Sequence, residues 1–152
     1  MDASFLQGRM QVLYEHKNYA EAIAHADQLL GQQPKNAMAW YIKGLSLVAI
    51  ERHHDALHCF EQLALYESKN VIAYYMQIEC AMKLNLSEKI EPLYDTIIAL
   101  DPRDIRALKE KTKLLFRKSE YHDALQYCYR VLEQVDDVEM EQLKEKIVKN
   151  NL

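Results

Sequence analysis

The sequence repeats with a period of 34 residues, and this feature constrains its fold more than any other. Written in rows of that length, the chain places small or apolar residues in the same columns of successive rows. Three such columns are Ala22, Ala56, Ile90 and Ala124; Leu29, Leu63, Ile97 and Val131; and Leu13, Leu47, Ala81 and Leu115. A fixed period between about 20 and 50 residues is typical of architectures built from stacked structural repeats.

Each row contains two stretches with apolar residues at helical spacing, separated by a short polar turn. Residues that favour turns recur with the same period, at Pro34, Ser68, Pro102 and Asp136. We therefore divide the chain into four helical hairpins and a capping helix, with bounds 3–36, 37–70, 71–104, 105–138 and 139–150. A content of only 3 Gly and 3 Pro also favours an all-α fold.

These hairpins resemble the tetratricopeptide repeat, and the second row carries the best match. It has the family's first aromatic, glycine, small residue and second aromatic at Trp40, Gly44, Ala56 and Phe60. The glycine is replaced in the other rows by Met10, Ile78 and Thr112. The resemblance implies a right-handed superhelical α-α solenoid that forms a single domain over residues 1–152.

The net charge of −4 argues against a general nucleic-acid-binding protein, because such proteins are usually basic. No apolar run approaches the roughly 18 residues of a membrane-spanning helix, so we expect no membrane insertion. Charged side chains interrupt the N-terminal segment where a secretory signal needs an apolar core, which indicates a cytoplasmic protein. Cys59, Cys80 and Cys128 are an odd number of cysteines among apolar residues, which favours reduced, buried thiols.

The resemblance also implies that the first helix of each hairpin lines a concave groove. The apolar candidates for binding on these helices are Tyr14, Met38, Tyr41, Leu45, Tyr75, Met76 and Met82. Methionines and tyrosines on such a face are typical of an adaptable partner-binding surface. We therefore predict a non-enzymatic adaptor or chaperone that holds a protein or peptide segment through apolar anchors.

The first helix of the fourth row is basic, and Glu110 is its only acidic residue. A basic end of the groove suits a segment with an acidic flank. The residues predicted to orient that flank are Arg106, Lys109, Lys113 and Arg117.

Two other interpretations of the same patterns stay open. A shift of the helix phase would bury Tyr41 and Tyr75 between helices as ordinary core residues. Alternatively, exposed apolar faces would join copies of the chain, which would then be a self-associating structural scaffold subunit and a homo-oligomer.

The segment 53–59 carries three histidines, an aspartate and a cysteine, which are residue types that bind zinc. His54, however, falls in the same turn column as Ala20 and His122, so surface histidines explain the segment better than a metal site does. The sequence also has no serine flanked by glycines and no phosphate-binding glycine loop. We therefore predict no enzymatic activity, no metal and no cofactor.

Overall fold

The computed structural model describes residues 1–150, which form nine α-helices and no β-strand. The helices are α1 (Ala3–Glu15), α2 (Tyr19–Gln32), α3 (Ala37–Ala49), α4 (His53–Tyr66), α5 (Val71–Lys83), α6 (Ser87–Leu100), α7 (Ile105–Arg117), α8 (Tyr121–Leu132) and α9 (Val138–Lys149). Short turns join helices of similar length, so the described chain is an all-α helical-repeat solenoid. The predicted fold class is confirmed.

The first helix of each hairpin begins with the same kind of side-chain cap. The capping residues are Asp2, Asn36, Asn70 and Asp104, which recur with the 34-residue period. Each side-chain oxygen accepts a hydrogen bond from a backbone N–H of the first turn, as Asn36 Oδ1 does from Ala39 at 2.9 Å. Such N-caps stabilise a helix by about 1 kcal/mol. The cap of α9 is Asp137, which accepts from Met140 N at 3.0 Å.

The turn inside each hairpin contains one residue with a left-handed backbone. These residues are Lys17, Glu51, Asn85 and Ser119, with φ of 60°, 62°, 56° and 63°. The next residue then donates to a carbonyl five positions earlier, as Arg52 N does to Leu47 O at 2.8 Å. This is the Schellman geometry, which ends a helix and turns the chain sharply. Glycine adopts it most easily, but none of the four residues is a glycine.

The first two turns between hairpins are each held by an aromatic side chain. Trp40 Nε1 donates to the carbonyl of Pro34 at 2.9 Å, and the hydroxyl of Tyr74 donates to the carbonyl of Ser68 at 2.7 Å. The two pairs occupy equivalent positions, one repeat apart. The aromatic residue of the first helix therefore satisfies a carbonyl that the turn leaves unpaired.

The chain divides into two compact units, Met1–Lys89 and the residues from Ile90 onward. In the first unit, α3 and α4 approach closely at Gly44. A Cβ atom added there would lie 2.7 Å from two ring atoms of Phe60, which is itself fully buried. The second row therefore needs glycine at this position because the Phe60 ring fills the space.

In the second unit, α9 packs against α8 through one apolar side. Met140, Leu143 and Ile147 are buried, and Cys128 Sγ donates to the carbonyl of Met140 at 3.1 Å. Val148 lies off this side and is about half exposed. Thus α9 covers the apolar surface of α8, as a capping helix does.

Candidate peptide-binding surface

The seven predicted apolar residues lie on first helices of the first unit. Tyr14 is on α1; Met38, Tyr41 and Leu45 are on α3; and Tyr75, Met76 and Met82 are on α5. None of the seven is fully buried. We call Met38, Ile72 and Met82, together with Tyr14, Tyr41 and Tyr75, the first-helix face.

Three aliphatic side chains make the first-helix face apolar. Met38 is 41% exposed, and Met82 is 49% exposed. Ile72 occupies the position of Met38 one repeat later and is 54% exposed. Because Ile72 lies one 34-residue period after Met38, the repeat register groups it with the predicted apolar residues. Flexible side chains of this kind can adapt to an apolar partner.

Tyr41 has both a core side and a solvent side. Its half-buried ring packs against the apolar cluster of α1 and α2 that contains Leu6 and Leu29, and against the α3–α4 cluster that contains Phe60. Leu45 is also half-buried on the second of these clusters. The ring of Tyr41 therefore contributes to packing and still leaves an edge open to solvent.

Tyr14 lies beside two other tyrosines. Its ring centroid is 5.8 Å from that of Tyr19, with the rings tilted by 57°. Partial burial raises the pKa of the Tyr14 hydroxyl, and the neighbouring hydroxyls of Tyr19 and Tyr41 raise it further. The Tyr14 hydroxyl is therefore neutral at physiological pH and can both donate and accept hydrogen bonds.

The two predicted lysines of α7 pair with Glu110 of the same helix and with carboxylates at the start of α9. Lys109 Nζ lies 2.6 Å from Asp137 Oδ2, and Lys113 Nζ lies 2.6 Å from Glu110 Oε1. Glu139 is 3.6 Å from Lys109 and 3.7 Å from Lys113. The hydrogen bond between Lys109 and Asp137 raises the pKa of the lysine and lowers the pKa of the carboxyl. The acidic residues before and within α9 were the sequence signal that could have predicted these ion pairs.

The arginines of the predicted set are exposed on the same helix. Arg106 lies near the start of α7, and Arg117 lies at its end. Arg117 forms no ion pair with any residue of the described chain. It lines a depression of about 310 Å³ together with Lys113, Phe116 and Glu139. Arg117 is thus an exposed cation at the edge of this depression.

Two further lysines, Lys111 on α7 and Lys118 directly after it, form ion pairs within the second unit. Lys111 is buried, and its Nζ lies 2.7 Å from both Glu91 Oε1 and Asp95 Oδ1. Lys118 Nζ lies 2.9 Å from Glu91 Oε2. Hydrogen bonds from both lysines lower the pKa of Glu91. The charge of this helix is therefore largely balanced within the unit.

The histidine segment does not form a metal centre. Among residues 1–150, no group of three or more His, Cys, Asp or Glu side chains is arranged to hold a metal ion. His54 is exposed, as expected for a surface histidine, and His58 meets the Trp40 ring edge-on at a centroid distance of 5.9 Å. Cys59 is buried, and burial raises the pKa of its thiol to about 11.

All three cysteines are buried and unpaired, which confirms the predicted buried thiols.

None of the helices in the described chain has the length and apolar character needed to cross a membrane.

Comparison with protein families gives two matches. Residues 2–63 match the family described as anaphase-promoting complex, cyclosome, subunit 3, and residues 43–89 match the family described as tetratricopeptide repeat. A curated relative is the N-terminal acetyltransferase B complex subunit NAA25 homolog of Caenorhabditis elegans, which is 24% identical over 110 residues. That match covers 68% of this chain and 11% of the relative, so the chain spans about a ninth of the relative's length.

Solved structures share the fold. MamA from Desulfovibrio magneticus RS-1, residue 41 to the end, aligns with a TM-score of 0.69 and 24% identity, over 87% of this chain and 75% of that chain. YrrB, described as a TPR protein with an unusual peptide-binding site, aligns with a TM-score of 0.71 and 23% identity, over 88% of this chain and 69% of that chain.

The successive hairpins, their shared caps and these structural matches define an α-helical repeat protein. Proteins of this class are typically interaction modules rather than enzymes. The tetratricopeptide repeat model matches residues 43–89, and the described chain shares the repeat-solenoid fold of its structural neighbours, which supports the family that the sequence predicted.

Proposed function

We propose that this chain is a non-enzymatic interaction module, an adaptor or chaperone that holds an apolar segment of a partner protein against the first-helix face. The exposure of Met38, Ile72 and Met82 carries this proposal. Three exposed aliphatic side chains on one set of helices favour a surface that another molecule covers. The peptide-binding site named for YrrB is consistent with this use of the fold.

The half-buried residues would orient the bound segment, whereas the exposed side chains would adapt to it. Tyr14, Tyr41 and Tyr75 are rigid compared with methionine and present hydroxyl groups, so they can bind backbone amides of an extended segment. Leu45 and Met76 pack on the α3–α4 core and form an apolar floor. Aromatic anchors on a fixed floor, with methionines at the edge, provide both orientation and adaptability.

The acidic flank is a separate part of the proposal and concerns α7. Arg106, Lys109, Lys113 and Arg117 would attract carboxylates of the partner. Because Lys109 and Lys113 already have carboxylate neighbours, a partner carboxylate would have to exchange with those of α9. We therefore assign most of the long-range attraction to Arg117.

A displayed library of random peptides provides the probe for the first-helix face. Selected sequences should be rich in apolar residues and should bind the Met38→Ser, Met82→Ser double variant about tenfold more weakly, because about half of each side chain is available for burial. The matched control is Leu65→Ser, which removes an exposed aliphatic side chain from α4. Equal binding to all three proteins would show that the partner surface lies elsewhere.

Association rates test the acidic flank. Acidic peptides from the same selection should associate about twofold to threefold more slowly with Arg117→Glu at low ionic strength, and the difference should shrink in high salt. Lys69→Glu, which reverses an exposed charge in the turn before α5, should leave the rate unchanged. Equal rates for wild type and Arg117→Glu would remove the electrostatic part of the proposal.

A second candidate is a structural subunit of an assembly that includes further copies of the chain. It is favoured by the descriptions of the matched proteins, since one matched family and the curated relative are both named as subunits of complexes. Light scattering would then show a mass that rises with concentration. A constant mass of 17.9 kDa would exclude self-association. For either candidate we propose a cytoplasmic location, because the buried, unpaired cysteines suit a reducing compartment.

A further inference from the structure

One repeat position couples each first helix to the second helix that precedes it. Lys43 Nζ on α3 lies 2.6 Å from Asp27 Oδ1 on α2. Lys111 occupies the same position two repeats later, and its Nζ lies 2.7 Å from Asp95 Oδ1 on α6. Each carboxylate stands 16 positions before its lysine in the sequence, so the two ion pairs are equivalent.

The intervening repeat uses the position in the same way with an uncharged side chain. Gln77 on α5 is buried, and its Nε2 donates to the carbonyl of Phe60 on α4 at 3.3 Å. In three successive first helices, a donor at this position thus reaches the preceding second helix. The equivalent residue of α1 is Arg9, which is exposed and forms no ion pair within residues 1–150.

The apolar positions around Arg9 are also uncovered. In α3, the corresponding residues are Ala39, Ile42 and Ser46, which are all buried. In α1 these positions hold Phe5, Gly8 and Val12. Phe5 is 53% exposed and Val12 is 42% exposed, and a Cβ atom added to Gly8 would have no heavy atom within 4 Å. We call Phe5, Gly8, Arg9 and Val12 the outer face of α1.

The exposed side of α9 carries carboxylates where the outer face of α1 carries an arginine. The side of α9 that faces away from its buried residues carries the exposed carboxylates Glu141 and Glu145 beside the exposed Val138 and Val148. Charged residues at such positions keep the end of a helical-repeat stack solvated. On α1, two large apolar side chains flank Arg9, which has no ion-pair partner within residues 1–150, and this is the pattern of a surface that another element covers.

We propose that the outer face of α1 binds an amphipathic α-helix of a partner protein, and that a carboxylate of this helix pairs with Arg9. The chain itself shows the chemistry of such a helix. Asp27 follows the buried Ala26 and precedes the buried Leu30, whereas Asp95 follows the buried Tyr94 and precedes the buried Ile98. The partner helix therefore carries an apolar residue directly before the carboxylate and an aliphatic residue three positions after it.

A second copy of the chain fits this face less well. Pairing two outer faces would bring Arg9 of one copy close to Arg9 of the other, which like-charge repulsion disfavours. On α9, Glu141 is paired with Lys144 at 2.5 Å, and the exposed Glu145 directly follows that lysine rather than an apolar residue. The charge of the outer face therefore favours an acidic helix from a different protein.

A helix-stabilised peptide with the sequence of residues 18–33 is the probe, because it contains the α2 surface that covers the same position on α3. Its staple is placed on the side opposite Ala26 and Leu30. We expect saturable binding to the wild-type protein by fluorescence anisotropy. Arg9→Glu should weaken binding of this peptide at least about fivefold. A peptide with Asp27→Lys should bind the Arg9→Glu protein with the lost affinity restored.

Three results would overturn this proposal. The first is a lack of saturable binding to the wild type, and the second is a peptide affinity that neither Arg9→Glu nor Asp27→Lys changes. The third is self-association through α1 that the peptide does not inhibit. Phe5→Ser should weaken peptide binding, with Leu65→Ser as the matched control for loss of an exposed apolar side chain. The Met38→Ser, Met82→Ser double variant should bind the peptide as the wild type does. This last measurement separates the outer face of α1 from the first-helix face.

Discussion

Replacing Gly44 with alanine should destabilise the first unit, although alanine is the better helix former. The new Cβ atom would lie 2.7 Å from Cε1 and Cζ of Phe60, whereas ordinary contacts are 3.4–4 Å. Phe60 cannot withdraw easily because it is fully buried among Leu47, Ala56 and Leu63. Overpacking of this kind costs about 1–3 kcal/mol, and the improved helix propensity returns about 0.5–1 kcal/mol. We expect a net loss of about 1–2 kcal/mol.

Gly8→Ala is the matched control, since Gly8 is also inside a first helix but has open space around it. This variant should gain about 0.5–1 kcal/mol, so the two alanine variants should differ by about 1.5–3 kcal/mol in urea unfolding followed by circular dichroism. Phe60→Leu should cost less in the Gly44→Ala background than in the wild type, because the smaller side chain relieves the contact. Equal stability of the two alanine variants would refute the close approach of α3 and α4.

Three further predictions concern the turns inside the hairpins, two buried thiols and the ion-paired Glu91. Ser119→Gly should raise the free energy of unfolding by about 0.5–1 kcal/mol because glycine tolerates the left-handed backbone, whereas Asn85→Gly should change it less, since asparagine already tolerates that backbone; urea titrations would measure both. Burial raises the pKa of the Cys59 and Cys80 thiols from 9.0 to about 11, so their stabilising contribution is complete below pH 9.0 and is lost as the pH rises through about 11. A variant with both cysteines changed to alanine should lose less stability between these pH values, and an equal loss would contradict the assignment. Ion pairing lowers the pKa of Glu91 from 4.5, so its contribution is present above pH 4.5 and is lost as the pH falls through the lower folded value; Glu91→Gln should flatten acid unfolding curves in that range.

The candidate site was only partly predictable from the sequence. Helical register placed Met38 and Met82 on first helices, and both are exposed there. The same register could not fix how far the ring of Tyr41 would enter the core, because that depends on the space left between α1, α3 and α4. Helical register also could not predict the contacts of Lys109 and Lys113 with Glu139, because the packing of α9 brings Glu139 close to both lysines.

The repeat architecture can be predicted from the sequence alone, because the information that specifies it is local. A period of 34 residues, a capping Asp or Asn at each start and a polar turn within each row are enough to specify successive hairpins. Which charged side chains stay without an ion-pair partner depends instead on how the helices pack. Lys111 is held by two carboxylates of α6, whereas Arg9 has no such partner within the described chain. Electrostatic pairing depends on distances between helices, and those distances are set by packing rather than by position in the sequence.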